Sequence, residues 1–215
     1  MRIIISPAKK MNVDTDSLPW LELPAFLPRT EQLAKVLQAM DKDALKKLLK
    51  CNDQIAALNV ERLAHMDLHT RLTPAILAYE GIQYQYMAPG VFTQQEFDYV
   101  QEHLRILSGF YGVLKPFDGV TPYRLEMQAK LKVGEAKDLY SFWDSRLAEH
   151  LFAETDCILN LASREYSLCV QVPARYRSLH HLRFWRGRRR QGDRKGDDVQ
   201  DGPGRNGALY GGEPD

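Results

Sequence analysis

Three adjacent isoleucines, Ile3 to Ile5, run straight into Ser6-Pro7, and this opening constrains the fold more than any other stretch. A short unbroken apolar run that ends in a hydroxyl and a proline reads as a strand buried on both faces. Cys157 to Leu161, CILNL, repeats the pattern and ends at Ala162-Ser163, with Asn160, Arg164 and Glu165 close by. Long helical patterns separate the two runs, so the expected class is α/β, in a mixed α+β arrangement. Ligands of such sheets sit at the carboxyl ends of the strands. The two strand ends are therefore expected to converge in one cleft, with Ser6, Asn160 and Ser163 as candidate ligand residues and Lys9 and Lys10 beside them.

With 215 residues, 44% of them hydrophobic, the chain can bury one sizeable core and carry an appendage. A formal charge of +1 gives no global attraction to DNA or to an anionic membrane. Any nucleic-acid site must then come from local segregation of charge. Cys51, Cys157 and Cys169 show neither CxxC nor His-flanked spacing, which argues against a disulfide framework or a zinc knuckle and fits a reducing cytoplasm. His65 and His69 stand four apart without a third ligand in register, so no metal and no cofactor are expected. The first residues form too short an apolar run for a signal peptide, and no stretch of about 18 apolar residues occurs, so neither export nor membrane insertion is expected.

Between the two strands, Met11 to Arg29 carries Pro19, Pro24 and Pro28 and reads as an extended excursion pinned by Leu18, Trp20, Leu23 and Phe26. Thr30 to Lys50 is helical with an interruption or cap at Asp41, and Lys46, Lys47 and Lys50 fall on its outer face as solvated charges. Cys51 to Asp67 continues as helix, while Ile82, Tyr84 and Tyr86 alternate like an extended piece. Thr93 with Glu96 three residues later opens a helix expected to reach Leu107. From Gln101 to Met127 an apolar helical pattern breaks at Ser108-Gly109 and resumes, which suggests a backbone hairpin between two helical pieces. Small residues there would let amide groups approach an anion, with Arg105, Lys115, Arg124 and Lys130 free to neutralise it. A Ser near a Lys can be an activated nucleophile. Ser6, Lys9, Asn160 and Ser163, with Arg124 as an anion clamp, thus make an enzyme acting on a small anionic or nucleotide-like ligand the alternative reading. The chain has no complete triad and no Walker or Rossmann glycine pattern, so catalytic residues are not assigned.

Five ordered stretches carry a resemblance: IISPAKK (4–10), HLRILSGFYGVLKPFD (103–118), PYRLEM (122–127), KDLYSFW (137–143) and NLASREY (160–166). On these the chain resembles the YaaA family of peroxide stress response proteins, formerly an uncharacterised protein family. The resemblance implies a family-specific fold with a helix-hairpin-helix-like element and a positively charged cleft. It also implies binding of double-stranded DNA, lowered free iron and protection against hydrogen peroxide, in a cytoplasmic monomer. Carried onto this chain, the DNA-binding residues are Lys9, Lys10, Arg105, Ser108, Gly109, Gly112, Lys115, Arg124 and Lys137.

Beyond about Arg175 the character of the chain changes. Residues 183–215 hold eight of the 14 glycines and few apolar residues, a composition that cannot form a packed core. Relatives are similar to one another here in a strand like FITCVFGE and a later segment MARGEMVRYM. Leu179 to Arg186 and Asp201 to Ala208 can be back-translated so that reading one nucleotide later yields FITCVFG and MARGEMV. The expectation is one YaaA-like domain over 1–176, C-terminally incomplete, followed over 177–215 by a disordered, frameshifted tail.

Overall fold

The computed structural model describes residues 1–170 and 179–181. The chain divides into a unit Met1–Arg183 and a unit Phe184–Asp215, and only the first holds described residues. The expectations for the tail lie outside the described residues except at Leu179–His181, which are paired as a strand.

The opening isoleucines form β1 (Arg2–Ile5), with Ile4 and Ile5 buried. Lys10–Met11 makes the two-residue β2. The excursion that follows is irregular, with bends at 15–18, and gives way to helix at Leu27, three residues before the expected end; it is tied to the body through Leu21 N–H to the carbonyl of Phe117 (2.8 Å) and Gly119 N–H to that of Glu22 (2.9 Å). Helix α1 (Leu27–Gln38) buries Leu33, Ala34 and Leu37 along one stripe. Asp41 caps α2 (Lys42–Leu49) by accepting the amide of Ala44 at 2.8 Å, and Asn52 caps α3 (Asp53–Ala64) through Ile55 at 2.9 Å. Short pieces follow: β3 (Thr73–Pro74), α4 (Ala75–Ala78), β4 (Tyr79–Glu80) and α5 (Ile82–Met87). The alternation over Ile82 to Tyr86 therefore belongs to a helix and not to an extended piece. Only Tyr84 is buried there, and its hydroxyl donates to the carbonyl of Ser6 at 2.9 Å.

The capping box of Thr93 and Glu96 starts α6 (Gln94–His103), which ends four residues earlier than the pattern suggested. The chain then runs as β5 (Leu104–Ser108), a turn, β6 (Gly112–Leu114) and β7 (Gly119–Val120). The segment assigned to a helix-hairpin-helix is thus an antiparallel β-hairpin, with Ile106 opposite Leu114 and Ser108 opposite Gly112. Its residues are buried throughout, so two paired strands satisfy the backbone where a second helix was expected. Helices α7 (Leu139–Trp143) and α8 (Arg146–Glu154) supply Trp143, Leu147 and Leu151 to the core before β8 (Ile158–Asn160), α9 (Arg164–Ser167) and β9 (Leu179–His181).

Five strands form the main sheet in the order β6-β5-β1-β8-β9. β5 and β8 both run parallel to β1, with Ile4 opposite Arg105 on one side and Asn160 on the other. β9 extends the parallel set beyond β8. The sheet makes a mixed α+β fold, with β1 at its centre.

Candidate functional site

Where β1 and β8 end, the backbone ladder gives way to side chains. The amide of Leu161 still bonds the carbonyl of Ile4 (2.9 Å), but two residues later the amide of Ser163 donates to Ser6 Oγ at 2.8 Å. The two strand ends therefore meet, as their matching apolar-to-polar endings indicated. Asn160 is buried, and its Oδ1 accepts the amide of Ala162 at 3.0 Å, turning the chain out of β8.

A cleft of about 210 Å³ opens at this junction, lined by Ser6, Lys9, Tyr123, Arg124, Glu126 and Ser163 among others. One oxygen of Glu126 serves two cations, Lys9 Nζ at 3.0 Å and Arg124 Nη2 at 3.4 Å. Arg124 is mostly buried, and its Nε–H has no acceptor among the described residues. Tyr123 forms the floor. Its hydroxyl contacts Ser108 Oγ at 2.6 Å and the Tyr79 hydroxyl at 2.8 Å. Burial raises the Tyr123 phenol to about 12, with hydrogen bonds from Ser108 and Tyr79 opposing the shift. Tyr79 is pushed up by burial as well, so both phenols stay protonated at neutral pH and neither serves as a base.

A second groove of about 450 Å³ adjoins this cleft and shares Glu126 with it. Lys47 and Lys50 reach it from the end of α2, and Lys130 from the loop after Met127. All three are exposed, and none has an ion-pair partner among the described residues. Lys50 caps α2 in the left-handed conformation, at φ 47° and ψ 52°. Glycine is the usual residue at such an exit. These lysines looked like an ordinary solvated helix face in the sequence. What distinguishes Lys47 and Lys50 is the proximity of Lys130, which only the tertiary fold supplies.

The residues carried over by resemblance scatter. Arg105 is buried in β5, where its Nε and Nη2 donate to Glu154 Oε2 at 2.9 and 2.7 Å and its Nη1 to the carbonyls of Gln101 and Leu104. Arg2 Nε reaches the same Glu154 oxygen at 2.8 Å. Ser108 is also buried, and its Oγ accepts the amides of Phe110 (3.1 Å) and Tyr111 (2.8 Å). At Gly109 a Cβ would lie 2.6 Å from the Leu125 carbonyl, and Gly112 has φ +80°. These four residues have no surface to offer a phosphate, because they build the hairpin turn and its support. Lys10 pairs with Glu80 (2.9 Å), Lys115 with Glu22 (2.8 Å), and Lys137 is exposed outside the cleft. Of the nine, Lys9 and Arg124 line it.

No group of three or more His, Cys, Asp or Glu side chains among the described residues could hold a metal ion, and no described helix is long and apolar enough to cross a membrane.

Comparison with known proteins adds a family. The profile described as Peroxide stress protein YaaA matches residues 1–195. A UPF0246 protein of Agathobacter rectalis is 57% identical over 171 residues, which cover 80% of this chain and 69% of that protein. Similar values hold for UPF0246 proteins of Lachnoclostridium phytofermentans (57%, 80% and 67%) and Pediococcus pentosaceus (53%, 80% and 68%).

Proposed function

Because the chain belongs to the family of peroxide stress protein YaaA, we propose that it acts in the response to hydrogen peroxide by binding double-stranded DNA without sequence preference, as a cytoplasmic monomer, and so limits damage that depends on free iron. The observation that carries this reading is the groove rimmed by Lys47, Lys50 and Lys130, three exposed ammonium groups that make no close ion pair among the described residues. Lysines of this kind contact phosphates as point charges and carry no base readout, so the affinity is salt-dependent and sequence-tolerant. The hairpin orders the segment beside the groove and does not itself touch DNA.

Fluorescence anisotropy on a labelled duplex at rising salt tests the reading. Changing Lys47, Lys50 and Lys130 together to Glu removes about three phosphate contacts and lowers the slope of log affinity against log salt by about 3. Unchanged affinity and slope in that variant would exclude the groove as the contact surface. We also propose that the residues after about Arg175 are read out of frame. Resequencing the gene there and finding no gained or lost nucleotide relative to intact relatives would sink that part.

A further inference from the structure

The main sheet turns from one direction of growth to the other at β1. The chain leaves β1 and returns to one side of it as β5, then returns to the other side as β8 and proceeds outward to β9. In open parallel sheets, the crevice beyond the carboxyl ends of the strands at such a reversal is where small ligands bind. The cleft between Ser6 and Ser163 occupies that place. We propose that it binds a small molecule carrying one anionic group, a phosphate or a carboxylate. Arg124 is the anchor, the hydroxyls of Ser6 and Ser163 are further contacts, and Glu126 is the internal carboxylate that the ligand displaces.

Four observations converge on this. First, the Arg124 guanidinium is held mostly out of water with its Nε–H lacking an acceptor among the described residues, although a buried donor normally finds one. Second, its contact with Glu126 is a single one at 3.4 Å, far longer than the roughly 2.7–2.9 Å of a good charge-assisted bond. It is not the parallel, bidentate approach that an incoming anion can make. Third, Ser6 Oγ already accepts the Ser163 amide, so the Ser6 proton is left to donate. Fourth, the volume of about 210 Å³ lies below the range of roughly 300–1,000 Å³ typical of drug-sized ligands, so the occupant is small. Glu165 also lines the cleft. Its Oε1 accepts the Gln128 amide at 3.2 Å, which leaves the other oxygen to accept from a hydroxyl or amine on the same ligand.

The site is separate from the lysine groove, and its test does not depend on DNA binding. Titration calorimetry of the full chain at fixed ionic strength, with inorganic phosphate in one arm and glycolate in the other, reads affinity and tells the two anion sources apart. Binding of one anion in the millimolar range or tighter is expected. Arg124→Met should weaken it about tenfold or more, whereas Glu126→Gln should tighten it about threefold to tenfold by removing the competing charge. Absence of heat from both anions up to about 10 mM, or equal affinity in the wild type and Arg124→Met, overturns the proposal. If Arg124→Met does not fold, Glu126→Gln decides alone, because a purely structural Glu126 predicts unchanged or weaker anion binding. Loss of the anion effect with intact DNA binding refutes this site only, and the reverse refutes the groove only.

Discussion

The hairpin from Leu104 to Leu114 and the cleft rim formed by Ser6 to Lys9 with Tyr123 to Lys130 use the same residue types for opposite ends. In the hairpin, an arginine, a serine and two glycines are buried: Arg105 is bound by Glu154, Ser108 by two amides and the Gly109 carbonyl by the Trp143 indole, and the backbone of Leu125 fills the space a Gly109 side chain would need. On the rim, an arginine, a serine and two lysines keep donors that internal partners do not exhaust. Residue type therefore does not announce a binding role. The accounting of partners does, because a buried polar group with all its bonds made has nothing left for a ligand.

Arg105→Ala is the strongest way to break this contrast. It leaves Glu154 without its most buried partner and should cost about 3–5 kcal/mol in urea unfolding, without the specific loss of DNA affinity that a surface contact would give. The buried side also contains Asp118, raised to about 7 by burial, with the amide and charge of Lys115 opposing the shift. One of its oxygens accepts the Lys115 amide at 2.9 Å, and the other has no partner among the described residues. Its folded-state value lies above the unfolded one, so between about pH 4 and pH 7 the folded state holds a proton that the unfolded state releases. Stability from this group thus falls as pH rises through that window and is level above it. Asp118→Asn should remove this slope and gain about 2–4 kcal/mol at pH 8 relative to pH 4, measured by unfolding at both pH values.

Gly109→Ala places a methyl carbon against the Leu125 carbonyl and should cost about 1–3 kcal/mol. It should also weaken anion binding, because Leu125 lines the cleft. A variant that is destabilised but binds normally would show the two regions to be less coupled than their contact implies. Lys50→Gly is the smallest and sharpest test. Relief of the left-handed backbone should stabilise the fold by about 0.5–1 kcal/mol, while loss of one phosphate contact lowers the salt slope by about 1. Gains in both stability and DNA affinity would remove Lys50 from the groove's function.

Much of this was legible from local chemistry. β1, β8 and their meeting followed from apolar runs ending in Ser6 and Ser163, and the starts of α2 and α6 from Asp41 and from Thr93 with Glu96. The hairpin was not, because a continuous run such as LRILSGFYGVL satisfies helix and strand alike. Pairing with β1 decides between them, and β1 lies about a hundred residues away. Arg105 looked outward for the same reason: Glu154, which makes it an interior residue, comes from a distant helix. Ile82 and Tyr86 are exposed on a short helix whose buried side chain is Tyr84, with Met87 half-buried against the core. The lysine groove needs α2 and Lys130 side by side, a juxtaposition with no local signature.

The hydroxyl chain beneath the cleft has a direction. Ser108 Oγ spends both lone pairs on the amides of Phe110 and Tyr111, so its proton goes to Tyr123, whose hydroxyl also contacts that of Tyr79. That ordering locks the ring next to Arg124 to the turn at Ser108-Gly109, while the Trp143 indole clamps the Gly109 carbonyl at 3.0 Å from the other side. The turn thus acts as the mould in which residues 123–127 are cast. A defect there would blunt the cleft by misaligning Arg124, and it would do so without removing a single group that a ligand touches.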